Sequence, residues 1–148
     1  MTPDEIRTEL LAQHQDLRTR IRQVRDARRQ DRPDQPYGFR VREVIAGLVN
    51  ALQAHNRREE ELLADLLPTV DAWGPVRKEL MGDQHRAEHM ALCGAFATLT
   101  LMSDSAAAAS LLHTCLDCIL EHMDLEEKTF LDELSLGASD VVADQVSG

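Results

Sequence analysis

Aromatic residues are scarce in this chain: one Trp, one Tyr and three Phe among 148 residues. Cysteine is scarcer still, at three, an odd number too small for a disulfide framework and in keeping with a reducing compartment. No stretch approaches the roughly 18 uninterrupted apolar residues that a bilayer span requires. Met1-Thr2-Pro3-Asp4-Glu5 is acidic and lacks the apolar core of a secretory signal, so a cytoplasmic protein is expected. Basic residues are outnumbered, 16 Lys and Arg against 26 Asp and Glu, for a formal net charge of −10. Neutralising phosphates needs a net basic surface, so neither a nucleic acid nor a membrane is expected as a partner. Strand signals are missing as well, because β-branched residues are scattered and never alternate with polar ones over a useful length. What is present is an apolar fraction of 43%, enough for the single core of one acidic domain, and six histidines.

Proline, glycine and capping residues divide the chain into four long helical segments. Thr2-Pro3-Asp4-Glu5 is a capping box with Pro at the first helical position, which predicts a helix from about Pro3 to Gln30. Two prolines and Gly38 make a connection, and a second helix is expected from about Phe39 to Leu67, where Pro68 removes the amide hydrogen needed to continue. The third is expected from about Pro75 to Met102. Ser103-Asp104-Ser105 supplies caps for the fourth, which runs to about Leu134 before Gly137. Residues 1–137 form the domain in this reading, and 138–148 a frayed tail. Four helices of about 28 to 30 residues joined by short loops predict an all-α, up-down-up-down antiparallel four-helix bundle.

Each helix has an apolar seam in steps of three and four, and the interruptions in those seams carry the chemistry. Helix 1 reads Leu10, His14, Leu17, Ile21, Val24; helix 2 reads Leu48, Leu52, His55, Glu59, Leu62, Leu66. Helix 3 reads Met81, His85, His89, Leu92, Phe96, Leu99, and helix 4 reads Leu112, Cys115, Ile119, His122, Glu126, then Thr129 or Phe130. A single inward histidine is ordinarily a hydrogen-bonded core residue. Here five imidazoles and two carboxylates point inward, and His55/Glu59, His85/His89 and His122/Glu126 are all spaced i,i+4, which stacks both side chains on one face. At about 1.5 Å per residue, alternating helix directions bring all seven to a common layer roughly 12 to 21 Å above one end of the bundle. Uncompensated charge in such an interior costs several kcal/mol, so a metal is expected, and imidazole with carboxylate and no thiolate suits iron, manganese or zinc. Five imidazole nitrogens, two bridging carboxylates and one solvent-derived bridge fill about eleven of the twelve positions of two octahedra, leaving one open position on a metal held by only two histidines.

These residues resemble the hemerythrin-like, or HHE cation-binding, family of non-heme di-iron bundles. The matching elements are His14, His55-Asn56-Arg57-Arg58-Glu59, His85-Arg86-Ala87-Glu88-His89 and His122-Met123-Asp124-Leu125-Glu126. The resemblance implies two iron ions with an oxo or hydroxo bridge. It places His85, His89 and His122 on one and His14 and His55 on the other, with Glu59 and a helix 4 carboxylate bridging. Dioxygen, peroxide or nitric oxide would meet the protein at the second iron. Oxygen carriers of the family have Asp five residues after the helix 4 His, whereas Glu126 lies four after His122 and Glu127 five after. Glu126 shares the face of His122 on a regular helix and is the expected ligand; a π-bulge would bring Glu127 inward instead. The pattern is closer to bacterial members, to which iron sensing, stress responses and peroxide decomposition are attributed. The alternative role is an iron- or oxygen-sensing module that folds on binding metal; a zinc-stabilised structural bundle is a third.

Ferritin-like sites need Glu-x-x-His motifs, which are absent, as are HExxH and Cys-x-x-Cys-His. His113 lies nine residues before His122, on the opposite face. Cys93, Cys115 and Cys118 read as packing residues, with a redox role for the last two as the alternative. The arginine run from Arg18 to Arg29 is expected to be a solvated face that pairs in part with the acidic fourth helix, and Glu60, Glu61 and Glu88 to face mostly solvent, with hydrogen-bonding to a ligand from behind as the alternative for Glu60. Leu10, Leu17, Ala51 and Leu52 are expected to wall off water near His14 and His55, and Trp73 to plug one end.

Overall fold

A computed structural model describes residues 1–31, 38–66 and 75–131. The expectations for Pro68, Trp73, Leu134, Gly137 and the tail lie outside these residues, as do those for the side chains of Leu66, Met81, Thr129 and Phe130. The described chain is all-helical, with four helices and no strand: α1 Pro3–Gln30, α2 Phe39–Leu66, α3 Pro75–Leu101 and α4 Ser105–Glu126. No helix among the described residues is long and apolar enough to cross a membrane.

Local chemistry starts α1 and α4 where the sequence places the signals. Thr2 accepts from the Glu5 amide and the Glu5 carboxylate accepts from the Thr2 amide at 2.7 Å, completing the capping box of α1. Asp104 caps α4 by accepting from the amides of Ala106 and Ala107. The fourth helix departs from expectation. Its α-helical part ends at Glu126 and a π-helical turn, Glu127–Leu131, follows. The Arg7 guanidinium of α1 donates to the Leu131 carbonyl at 3.2 Å, tying this turn to α1.

The seams bury as the periodicity requires, and α1 packs on α2, α2 on α3, α3 on α4 and α4 back on α1. Contacts along α1 and α4 run in opposite sequence order: Arg7 with Leu131, Arg18 with Asp124 and Glu127, Arg25 with Asp117. The expected pairing of the arginine run with α4 is present at Arg18 and Arg25. The main apolar core, including Leu17, Ile21, Val24, Ile45, Leu48, Leu52, Phe96, Leu112, Ile119 and Met123, occupies one side of the seven polar positions. A smaller apolar group, Ile6, Leu10, Leu62, Leu63 and Leu131, is buried on the other. The polar layer is therefore held between two dry layers, each leucine or isoleucine contributing about 1.5–3 kcal/mol when fully buried.

Candidate metal centre

All seven inward polar residues meet. His14, His55, Glu59, His89, His122 and Glu126 are buried, and only His85 is partly open, its side chain 14% exposed. The donor atoms form two groups, each with all its atoms within 4.8 Å of one another: Glu59, His85, His89, His122 and Glu126, and then His14, His55 and Glu126. Glu126 belongs to both. Its Oε1 lies 2.6 Å from His122 Nε2 and 3.2 Å from His85 Nε2, while its Oε2 lies 3.1 Å from His14 Nε2. Glu59 also reaches both sides, with Oε2 2.8 Å from His85 Nε2 and 3.5 Å from His55 and His89.

The choice between the adjacent glutamates of α4 follows from the backbone. A regular helix carries Glu126 on the face of His122, and the π-helical turn begins only after it, so Glu126 is the inward carboxylate. Glu127, about 100° further round, reaches the back of His14 instead, accepting from Nδ1 at 2.9 Å and from Arg18 at 2.8 Å.

Outer partners orient three of the other rings in the same manner. His55 Nδ1 meets Gln13 Oε1 at 2.8 Å, His89 Nδ1 meets Glu60 at 3.0 Å and His122 Nδ1 meets Glu88 at 3.1 Å. Glu60 thus takes its alternative role rather than a purely solvent-facing one, Glu88, expected to face solvent, holds a ring in the same way, and Gln13 and Glu127 were not singled out for this role. The signal for them is adjacency: each stands one residue from an inward His or Glu. A carboxylate only accepts, so the ring proton of a neutral imidazole sits on Nδ1 and Nε2 turns a lone pair inward.

Inside the layer, that arrangement leaves polar atoms without partners. His14 Nε2, His55 Nε2, His85 Nε2, Glu59 Oε2 and both Glu126 oxygens are buried and make no hydrogen bond; their mutual approaches are short but off hydrogen-bond geometry. His89 Nε2 and His122 Nε2 face each other at 3.2 Å, lone pair against lone pair when both are neutral. Cations would convert these orphaned donors into ligands, so the residues present fit a metal centre.

The ionisation of the bare cluster follows from the same contacts. Burial pulls the His14, His85 and His122 imidazoles down, but Glu126 beside His14 and His122, and Glu59 beside His85, more than offset it and raise all three. Burial dominates at His55, pulled down to about 4. Burial works to raise Glu59 and Glu126, yet the surrounding imidazoles hold both carboxyls below their usual range.

Residues expected outside the site stay outside it. His113 is exposed and pairs with Asp117 at 3.3 Å. Cys115 is buried in the core while Cys118, three residues on, is exposed, and burial pushes the Cys93 and Cys115 thiols up, away from reactive thiolate. Asn56, which sequence reasoning passed over, is buried next to His55 with an unpartnered Oδ1. The expected dry wall is incomplete: Leu10, Leu17 and Leu52 are buried, but Ala51 is half-buried and with Leu17 borders a cavity of about 410 Å³ that reaches His55.

The family model of the hemerythrin HHE cation binding domain matches residues 5–134. The chain belongs to this family. The match takes in the four helices but for the first two residues of α1, and every residue of the cluster, so this hemerythrin HHE domain has the cation-binding character that its buried donors require. No curated protein and no solved structure matches the chain.

Proposed function

We propose that this hemerythrin HHE domain is a cytoplasmic di-iron protein that takes up dioxygen, or a related small ligand such as peroxide or nitric oxide, beside His14 and His55. The observation that carries the reading is Glu126, whose two oxygens face different histidine sets, as a carboxylate joining two metals must. His85, His89 and His122 would hold one iron, His14 and His55 the other, with Glu59 and Glu126 spanning both. Two iron ions so held supply two-electron exchange with a small oxidant. The chain orients five imidazoles through the Nε2 lone pair, holds four of the rings from behind at Nδ1, and packs the buried Leu10, Leu17 and Leu52 along the His14/His55 side, leaving the cavity beside His55 as the way in. An up-down-up-down order of the helices is the simplest topology for these contacts, and the opposed order along α1 and α4 supports it.

A second reading, a sensor that folds on metal, is favoured by the orphaned buried donors, which lose their compensation without a cation. Metal analysis with absorption spectra of the reduced protein, before and after air and then peroxide, separates the two. Two irons per chain with an oxygen-dependent charge-transfer band support ligand binding; reversal under vacuum marks carriage and gas from peroxide a catalase-like activity. Iron-dependent folding with a spectrum indifferent to all three ligands supports the sensor, and a colourless zinc protein overturns both.

A further inference from the structure

The outer partners of the imidazoles are chemically unequal. His89 and His122 donate to Glu60 and Glu88, carboxylates that no Lys or Arg neutralises among the described residues. His14 donates to Glu127, whose charge is shared with Arg18 at 2.8 Å. His55 has only the neutral amide of Gln13. That amide cannot turn round without loss, because its nitrogen donates to Glu9 Oε1 at 3.2 Å, and Glu9 is itself gripped by Arg58 at 2.6 and 3.1 Å. A carboxylate thus stands close behind His55 but is neutralised by Arg58 and kept off the ring by Gln13.

A carboxylate accepting from Nδ1–H pushes electron density into the ring and makes Nε2 a stronger ligand; a neutral amide does so far less. Access differs as well. The cavity of about 410 Å³ between α1 and α2 is lined by Gln13, Leu17, Ala51, Ala54, His55 and Arg58 among others, whereas a cavity reaching His85 among the described residues holds about 120 Å³. We propose that Gln13 is a positioning residue that makes the His14/His55 half the exchangeable metal position of the centre. The domain then keeps one cation firmly on His85, His89 and His122 and gains or loses the second with its availability. This rests on the two-metal reading above.

Two imidazoles bind less tightly than three whatever stands behind them, so the test separates outer partner from ligand number. The full chain, stripped of metal, is titrated anaerobically with cobalt(II), whose visible bands report each position, and melting is followed in parallel. Two separated steps are expected. Gln13→Glu tightens the second step about tenfold and leaves the first unchanged, while Glu60→Gln weakens the first about tenfold and leaves the second. A folded Gln13→Glu chain with an unaltered second step overturns the inference. If the added charge beside Glu9 prevents folding, Glu60→Gln decides, and a shift of both steps or of neither overturns it. Wild-type protein that takes up fewer than two cobalt ions overturns the two-metal reading itself.

Discussion

His113 and His122 stand nine positions apart on α4, and half a turn of the helix separates a solvent-facing imidazole from a buried one. His113→Ala is therefore expected to retain the full metal content by elemental analysis, while His122→Ala loses at least one equivalent per chain. Protonation gives a second check. In the metal-free protein, His14, His85 and His122 have raised pKa values, so their stabilising contribution is present below pH about 6.5 and fades as pH rises through the raised values. His55, lowered to about 4, acts in the opposite sense below pH about 6.5 but is one group against three. Metal needs all of them neutral. The gap in melting temperature between metal-loaded and metal-free protein is thus expected to widen from about pH 6 to about pH 8; a constant or narrowing gap contradicts the imidazolium–carboxylate pairing.

At the scale of elements, helix ends set the register of the site. Asp104 fixes where α4 begins, eighteen residues before His122, by accepting from two of its first amides. Asp104→Ala is expected to cost about 1 kcal/mol in urea unfolding, with metal content unchanged, because the cap is remote from the ligands. The π-helical turn after Glu126 could not be read from EKTFL, which contains no helix breaker; its ends are tied to α1, Glu127 by His14 and Arg18 and the Leu131 carbonyl by Arg7. The choice between Glu126 and Glu127, open in the sequence, depended on where that turn began.

Across the whole molecule, the polar layer divides the interior into a larger and a smaller apolar part, and without cations six of its buried atoms lack any partner. Chelation is accordingly expected to lower the melting temperature by at least ten degrees or so, since each unmet buried group costs about 1–3 kcal/mol and such losses shift a domain of this size by roughly 2–4 °C per kcal/mol. Calorimetry with and without a chelator checks this; equal melting temperatures contradict a metal-dependent interior.

Helix positions, seams and the seven inward residues were legible in the linear order because they rest on short-range rules: a cap, a proline, the spacing of three and four. Asn56, Gln13, Glu88 and the cavity beside His55 were not. Whether such a residue meets solvent, a neighbouring helix or the back of an imidazole depends on how α1, α2, α3 and α4 rotate against one another. Periodicity within one helix contains no record of that rotation; it is settled by the packing of all four together.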